Sequence, residues 1–537
     1  MANVFKPPCD EAVIRSRPCL APCTARLRVW ILAATIIGSS MVFIDGSAVN
    51  VALPVLQAEL NASVTQVQWI VESYALFLAA LLLVGGALGD RFGRRRIFGA
   101  GTALFALASM WCGLAADATQ LILARAVQGM GGALLVPGSL AIISASFRGD
   151  ERGRAIGTWS ALTAITAALG PVLGGWLVEN ASWRWVFFIN VPLAAAVLVI
   201  AARYVPESRG ETRRVGLDWW GALLATVGLG ALVYGLIESA NLGLGHPVVL
   251  GALMGGAAAL IAFVLVERRS VDPMMPLHLF RSSTFTGANL LTLLLYAALG
   301  GTLFFFPFNL IQVQGYSATA AGAAFLPLIL ILFLLSRWAG GLVARYGAKL
   351  PLTVGPVVAA LGYVLFALPE IGGGYWATFF PAMVVLGVGM AVSVAPLSTT
   401  VMGAVETRHA GVASGINNGV SRTAALLAVA VMGVIVLSVF NNQLDSRLAT
   451  LEVPVWAQQQ LDAQRIKLAG AEVPSGLGDG VSDALERAVA ESFVAGFRSI
   501  MLVAAGLALA SALAAVFMIE GKRPAPARAS LVRRACC

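Results

Sequence analysis

Apolar runs of about 20 residues, long enough to cross a bilayer as helices, recur along the whole chain and are separated mostly by short polar or glycine-containing breaks. They fall near 29–53, 69–89, 97–116, 119–146, 154–178, 183–204, 217–238, 248–267, 284–308, 318–341, 351–369, 375–400, 409–440 and 497–519. The pattern predicts fourteen spanning helices. An even number puts both termini on one side. One polar stretch is long: residues 441–496 separate the last two runs. Helical apolar spacing over 456–468 and 482–495 predicts short helices there, lying on the membrane or capping a pore.

Basic residues in short loops choose the side. With the N-terminus inside, the inner segments hold about 28 of the 36 lysines and arginines. They include Arg26 and Arg28, Arg91 with Arg94 to Arg96, Arg148 with Arg152 and Arg154, and Arg209 with Arg213 and Arg214. Arg268 and Arg269, Arg345 and Lys349, and the tail from Lys522 onward complete the set. The short outer loops hold Arg184. The prediction is N-in and C-in. Basic residues within 441–496 do not oppose it, because long loops are translocated regardless of charge.

Composition agrees. The chain is 58% hydrophobic and 12% charged, with a mean hydropathy of +0.84; soluble domains carry about 25% charged residues. The net charge of +9 is explained by the inner loops, so no nucleic-acid partner is expected. Five of the six cysteines (Cys9, Cys19, Cys23, Cys536 and Cys537, but not Cys112) lie in the predicted inner tails, so no disulfide framework is implied. The Cys19 and Cys23 pair lacks nearby histidines, and no metal is expected. No apolar core precedes Trp30 in the basic leader, so no cleavable signal peptide is expected.

The chain also repeats itself. Gly86-Ala-Leu-Gly-Asp90-Arg91-Phe-Gly93 returns as Gly340-Gly-Leu-Val-Ala344-Arg345-Tyr-Gly347. Gly129-Met-Gly131 returns as Gly387-Val-Gly389, and Gly153 to Gly157 as Gly411 to Gly415. Three matches in one order at nearly one spacing predict two six-helix halves with spans 7 and 8 inserted between them. The expected division is a cytoplasmic tail over 1–28, an N-terminal half over 29–204, inserted spans and linkers over 205–283, a C-terminal half over 284–519, and a cytoplasmic tail over 520–537. Related halves around a midplane site characterise secondary transporters.

Several polar groups lie inside apolar runs, where an ionisable side chain costs several kcal/mol unless it is paired or hydrated and is functional by default. Span 1 reads Asp45-Gly-Ser-Ala-Val-Asn50-Val-Ala-Leu-Pro54, and span 4 carries Arg125, Gln128, Gly129 and Gly131. Asp45 lies about 13 Å and Arg125 about 9 Å from the outer ends of their helices at 1.5 Å per residue, so the two sit at similar depth. The loop after span 2 continues Gly93-Arg94-Arg95-Arg96: its glycines permit a sharp turn, and Asp90 beside arginines suits a charge-paired latch. Span 5 carries Gly157, Gly170, Pro171, Gly174 and Gly175, a side-chain-free groove with a proline that weakens the helix locally. Asn417, Asn418 and Arg422 lie within span 13. Arg422 is expected to bond carbonyls or an acid across the bundle, in either a structural or a transport role.

Together these segments resemble the major facilitator superfamily, specifically its fourteen-span drug:proton antiporter family, over nearly all of residues 29–519. The resemblance implies an all-α polytopic membrane protein with the major facilitator fold. It implies that the loop of Gly86, Asp90, Arg91, Gly93 and Arg94 locks the halves in an outward-open state, with Ala344 weakening any matching latch in the second half. It implies that the span 5 glycines, with Thr166 in place of one of them, form the antiporter signature, which points to export. Trp183 to Pro192 and Asp218-Trp219-Trp220-Gly221 are similar to the family's starts of spans 6 and 7.

The expected function is proton-coupled efflux of small amphipathic drugs across a bacterial cytoplasmic (inner) membrane. Asp45 and Arg125 would couple the proton: burial favours the neutral acid and the neighbouring guanidinium favours the carboxylate. Asn50, Gln128, Asn417, Asn418 and Arg422 would supply polar contacts to the cavity, and Phe43, Trp159, Tyr296, Phe304 and Phe305 read either as aromatic lining or as residues facing lipid or neighbouring helices. Glu72 and Glu238 read either as wet rim residues or as groups attracting cationic drugs. No cofactor beyond the proton gradient and no catalytic residue is expected. The expected partners are a small-molecule substrate, protons and lipid, with the chain a monomer and an envelope adaptor left open. No Gly-x4-Gly-Lys-Ser/Thr loop supports an ATP-driven pump, and His246, His278 and His409 form no zinc-enzyme motif. A dedicated exporter or importer of one metabolite, and more remotely a non-transporting sensor, remain as alternatives.

Overall fold

The computed structural model describes residues 25–521 apart from 148, 210–217, 271, 272, 274, 407–409 and 452. Most of the two predicted tails, with Arg213, Arg214 and His409, lies outside the described residues. In chain order the helices are α1 (Ala25–Glu59), α2 (Val64–Phe92), α3 (Arg94–Leu114), α4 (Ala118–Ser146), α5 (Gly149–Asn180), α6 (Trp185–Phe188), α7 (Asn190–Tyr204), α8 (Trp219–Leu242) and α9 (Pro247–Arg269). They continue with α10 (Ser283–Phe308), α11 (Ala318–Ala323), α12 (Leu326–Tyr346), α13 (Lys349–Phe366), α14 (Phe379–Gly403), α15 (Ala410–Leu448), α16 (Val455–Gln464) and α17 (Asp479–Met518).

Among the described residues, 13 segments are long and apolar enough to cross a membrane. The protein is a multi-pass membrane protein. The run predicted over 154–178 lies inside α5, which is not one of the 13. Local signals set the ends. Ser63 and Gln66 form a capping box at α2, and Asp117 and Asp218 cap α4 and α8 through the amides of Gln120 and Gly221; each satisfies an amide that the first turn leaves unpaired.

Glycine sets the closest crossings. A Cβ on Gly131 of α4 would lie 2.6 Å from the Phe105 nitrogen of α3, and one on Gly389 of α14 would lie 2.3 Å from the Ala359 nitrogen of α13. Gly101 faces Gly131, and Gly355 faces Gly389. The same small-residue crossing therefore occurs twice, at positions related by the internal repeat. Helices α8 and α9 pack on each other, and α8 leans on α2 and α15. Only 11% of the apolar window of α9 is buried inside the protein, which leaves the rest to lipid.

The stretch 441–496 departs from its predicted form. The segment 482–495 is not a separate helix: it is the first part of α17, which runs unbroken for 40 residues. Helix α15 likewise continues to Leu448, with 39 residues. Each is about 60 Å long, twice the roughly 30 Å of a hydrocarbon core. No proline interrupts 479–518, and the buried stripe Leu485, Val489 and Phe493 continues into Phe497 and Ile500, so nothing favours a break. Helix α16 and the turn Arg465–Gly470 fold back across this end. Leu468 is buried there at φ 55°. Gln57 of α1 donates to the Lys467 carbonyl at 3.2 Å and accepts from Gln312 at 2.9 Å. This lid end also joins residues on either side of α8 and α9: Gln68 donates to the Val429 carbonyl at 3.0 Å, and the Thr319 amide donates to Glu179 at 3.0 Å. An open cavity of about 1420 Å³ at this end is lined by charged groups including Arg447, Glu472, Asp483, Glu491 and Arg498.

A Gly389→Val substitution is expected to cost about 1–3 kcal/mol by overpacking against backbone. Gly157→Ala, whose Cβ meets nothing within 4 Å, should instead stabilise by about 0.5–1 kcal/mol, because it removes the helical cost of glycine. Melting temperatures of the purified proteins in detergent check both.

Candidate functional site: a buried Asp45–Arg125 centre

Asp45 lies on α1 and Arg125 on α4, 0% and 1% exposed. They meet: Arg125 Nη1 donates to Asp45 Oδ2 in a charge-paired hydrogen bond. Around them the protein replaces water. Gln128 Nε2 donates to Asp45 Oδ1 at 2.8 Å, and Asn190 Nδ2 approaches the same oxygen at 3.3 Å. Arg125 also donates to the Ile70 carbonyl at 3.1 Å and to Gln128 Oε1 at 2.7 Å. Its guanidinium lies 4.0 Å from the Tyr74 ring centroid and 5.8 Å from that of Phe187, where the ring quadrupoles attract a cation. Ser109 accepts from Gln128 at 2.7 Å and from Asn190 at 3.3 Å.

Helical spacing builds the site. Arg125 and Gln128 are three residues apart on α4 and share a face. Ser109 comes from α3, Asn190 from the start of α7, and Ile70 and Tyr74 from α2. The two carboxylate oxygens thus receive donors from two different helices. A buried ion pair is stable only when its remaining lone pairs and protons are satisfied in this way.

Sequence reasoning did not single out Ser109, Tyr74 or Asn190 as site residues. Ser109 and Asn190 are polar residues in apolar runs, the only available signal, and one that many structural serines share. Asn50 is half-buried, beyond the Asp45 network on the lid side of α1, and forms none of these bonds. Asn417 bonds Thr292 Oγ1 at 2.6 Å and Asn289 Oδ1 at 3.2 Å, tying α15 to α10. Asn418 is exposed. Arg422 departs from expectation: among the described residues it forms no hydrogen bond or ion pair, and its side chain remains half-buried rather than enclosed by acceptors. Phe304 and Phe305 are fully buried, edge-on to each other and tilted against Phe308, so they pack the bundle and do not line a cavity. Trp183 is also fully buried and donates to Glu59 at 2.7 Å.

The profile of the Major Facilitator Superfamily matches residues 35–429. The tetracenomycin C resistance and export protein of Streptomyces glaucescens is 33% identical over 92% of this chain and 92% of its own length. The chain belongs to the Major Facilitator Superfamily. The puromycin resistance protein of Streptomyces alboniger is 36% identical over 80% of this chain and 86% of its own. In fold, the chain is similar to a bacterial homologue of the human lysosomal transporter Spinster in an inward-facing, unoccupied conformation, with a TM-score of 0.62 and 17% identity over 94% of this chain and all of that one.

Two further segments with candidate roles take definite form. In the loop after α2, Arg94 Nε donates to Asp90 at 2.8 Å and the Arg95 amide donates to Glu207 at 3.0 Å. Gly93 adopts φ 115°, with Glu207 where a Cβ would be. Arg91 is exposed over the Phe92 ring. The tight approach to α4 belongs to Gly85, whose Cβ would lie 2.1 Å from the Ala133 carbonyl; one on Gly86 would meet only the Pro137 side chain at 3.7 Å. On α5, a Cβ at Gly170 would strike Ser47 of α1 and one at Gly174 would strike Ala48. Gly175 and Pro171 press against Ala318 and Gly322 of α11. Thr166, in place of a glycine, bonds Ser40 Oγ at 3.0 Å. Gly157 is open.

Arg125→Ala would leave Asp45 buried without its cation and should destabilise the protein by about 3–5 kcal/mol. The double variant Asp45→Asn with Arg125→Gln should recover part of that loss, because neutral groups need less compensation. Thermal melts of the three proteins in one detergent check this.

Proposed function

We propose that this protein is a secondary active exporter that exchanges protons for small amphipathic organic molecules, drugs and antibiotics among them, across the cytoplasmic membrane of a bacterium. The observation that carries the reading is the fully buried Asp45–Arg125 pair. A carboxylate at membrane depth is costly to keep and is retained where it does work. The names of the relatives support the direction of transport: one is a resistance and export protein and the other a resistance protein.

The geometry supports a proton exchange at Asp45. When a proton binds to Asp45, an O–H bond forms and the carboxylate charge disappears. Arg125 then keeps the Ile70 carbonyl, Gln128 Oε1 and the Tyr74 ring as partners, so the cation is not stranded. Loss of the proton restores the ion pair. The two states differ by one bond at the contact of α1 with α4, and a substrate that favours one of them exchanges for the proton.

In this reading the chain crosses the membrane fourteen times, with α5 as the additional span and α8 and α9 as the insertion between two six-helix halves over 29–204 and 284–519. The basic end faces the cytoplasm and the lid end faces outward. The chain acts as a monomer without cofactor or catalytic residue.

Inverted vesicles under an imposed pH gradient, tested with a panel of dyes, antibiotics and metabolites, examine the proposal. Wild-type vesicles should accumulate at least one amphipathic compound when the gradient is applied, and Asp45→Asn should reduce accumulation to the level without a gradient. Gradient-driven accumulation by Asp45→Asn equal to wild type would sink the coupling role.

A further inference from the structure

Glu72 lies on α2 between Trp69 and Leu76, one helical turn from each, and shares their face. That face is turned away from the Asp45 centre. It meets an apolar cluster in which Leu76 buries against Val233 and Ile237 of α8 and Leu426 and Ala430 of α15, with Trp69, Leu229 and Leu427 at its margin. One turn toward the lid, Gln68 closes the contact of α2 with α15 through the Val429 carbonyl. Within this setting Glu72 is 1% exposed, and its Oε2 has no hydrogen-bond partner. The sequence alone left it as a wet rim residue or a group attracting cationic drugs; the packing of three helices encloses it instead.

The charged and titratable groups around this part of α2 are otherwise engaged or apart. Asp45 of α1 and Arg125 of α4 bond each other, and Tyr74, on the opposite face of α2, donates to the Val42 carbonyl. Glu238 of α8 accepts from Asn241 at 3.2 Å, and Tyr234 of α8 packs beside the Trp69 ring. Lys467 of the lid turn reaches Gln464. Arg422 of α15 forms no ion pair among the described residues. No hydrogen bond or salt bridge joins any of these groups to Glu72. An ionised carboxylate enclosed this way, without cation or donor, is among the most costly arrangements a protein can hold, whereas the neutral acid is tolerated.

We propose that Glu72 is a second proton-binding site, separate from Asp45, carrying its proton in the conformation described here. The step is a simple protonation: one O–H bond forms on the carboxylate and breaks again when water reaches it. Its place where α2 meets α15 and α8 links that release to parting of the helices, since separation admits water to the acid. Proton binding at Glu72 does not depend on the transport reading; a contribution to exchange does.

The test uses the full-length protein in liposomes and needs no substrate. Infrared difference spectra between neutral and alkaline pH should contain the C=O band of a protonated carboxylic acid in apolar surroundings. That band should be missing from Glu72→Gln, displaced in frequency in Glu72→Asp, and retained in Asp45→Asn. Glu72→Asp keeps the acid and carries the test alone if the glutamine variant does not fold. A band unchanged in either Glu72 variant, or no such band in the wild type, overturns the proposal.

Discussion

The structure depends on one constraint: two opposite charges, Asp45 and Arg125, are held where water does not reach. At low effective dielectric their attraction is strong, but removing both from water costs several kcal/mol per ion. The surroundings meet that cost with Gln128, Asn190, the Ile70 carbonyl and the face of Tyr74. These partners come from α2, α4 and α7, with Ser109 of α3 behind them. The charge pair therefore ties together most of the helices of the first half.

Glycine does the complementary work. In lipid there is no hydrophobic drive between helices, so close backbone approach and dispersion must hold the bundle. Gly131 and Gly389 let backbone meet backbone in the two repeats, while Gly170 and Gly174 seat α5 on α1 and Gly175 seats it on α11. The span 5 motif is thus a joint between the first and second halves of the chain. Its neighbours Glu179 and Thr319 add a hydrogen bond at the same joint. The lid works at that end too, where Leu468 is buried in a left-handed backbone conformation and Lys467 holds Gln57.

Much of this was legible in the chain. Runs of apolar residues marked the helices because a bilayer demands about 20 of them in succession. The repeat of Gly129 to Gly131 at Gly387 to Gly389 marked equivalent crossings because only glycine permits such proximity. Asp45 and Arg125 stood out because charges in apolar runs are rare. Depth counted along ideal helices placed them level, and the structure brings them into contact.

Other features depend on neighbours distant in sequence. Asn190 and Ser109 join the Asp45 network only because α7 and α3 pack beside α1 and α4; as isolated polar residues they resembled many others. Phe304 and Phe305 read either as cavity lining or as packing against lipid or neighbouring helices, and their edge-on and tilted contacts with each other and Phe308 decide for packing. Glu72 read as a wet rim residue or a group attracting cationic drugs because hydropathy reports depth along a helix but not which face is covered. The continuous length of α15 and α17 was hidden because polar residues beyond a membrane end a hydropathy run without ending a helix. Sequence alone determined that this chain spans a bilayer many times, repeats itself and carries charges at depth, since each follows from local composition and spacing. Tertiary structure alone decided which charges are paired and which polar groups serve them, because burial and hydrogen bonding arise from packing between helices.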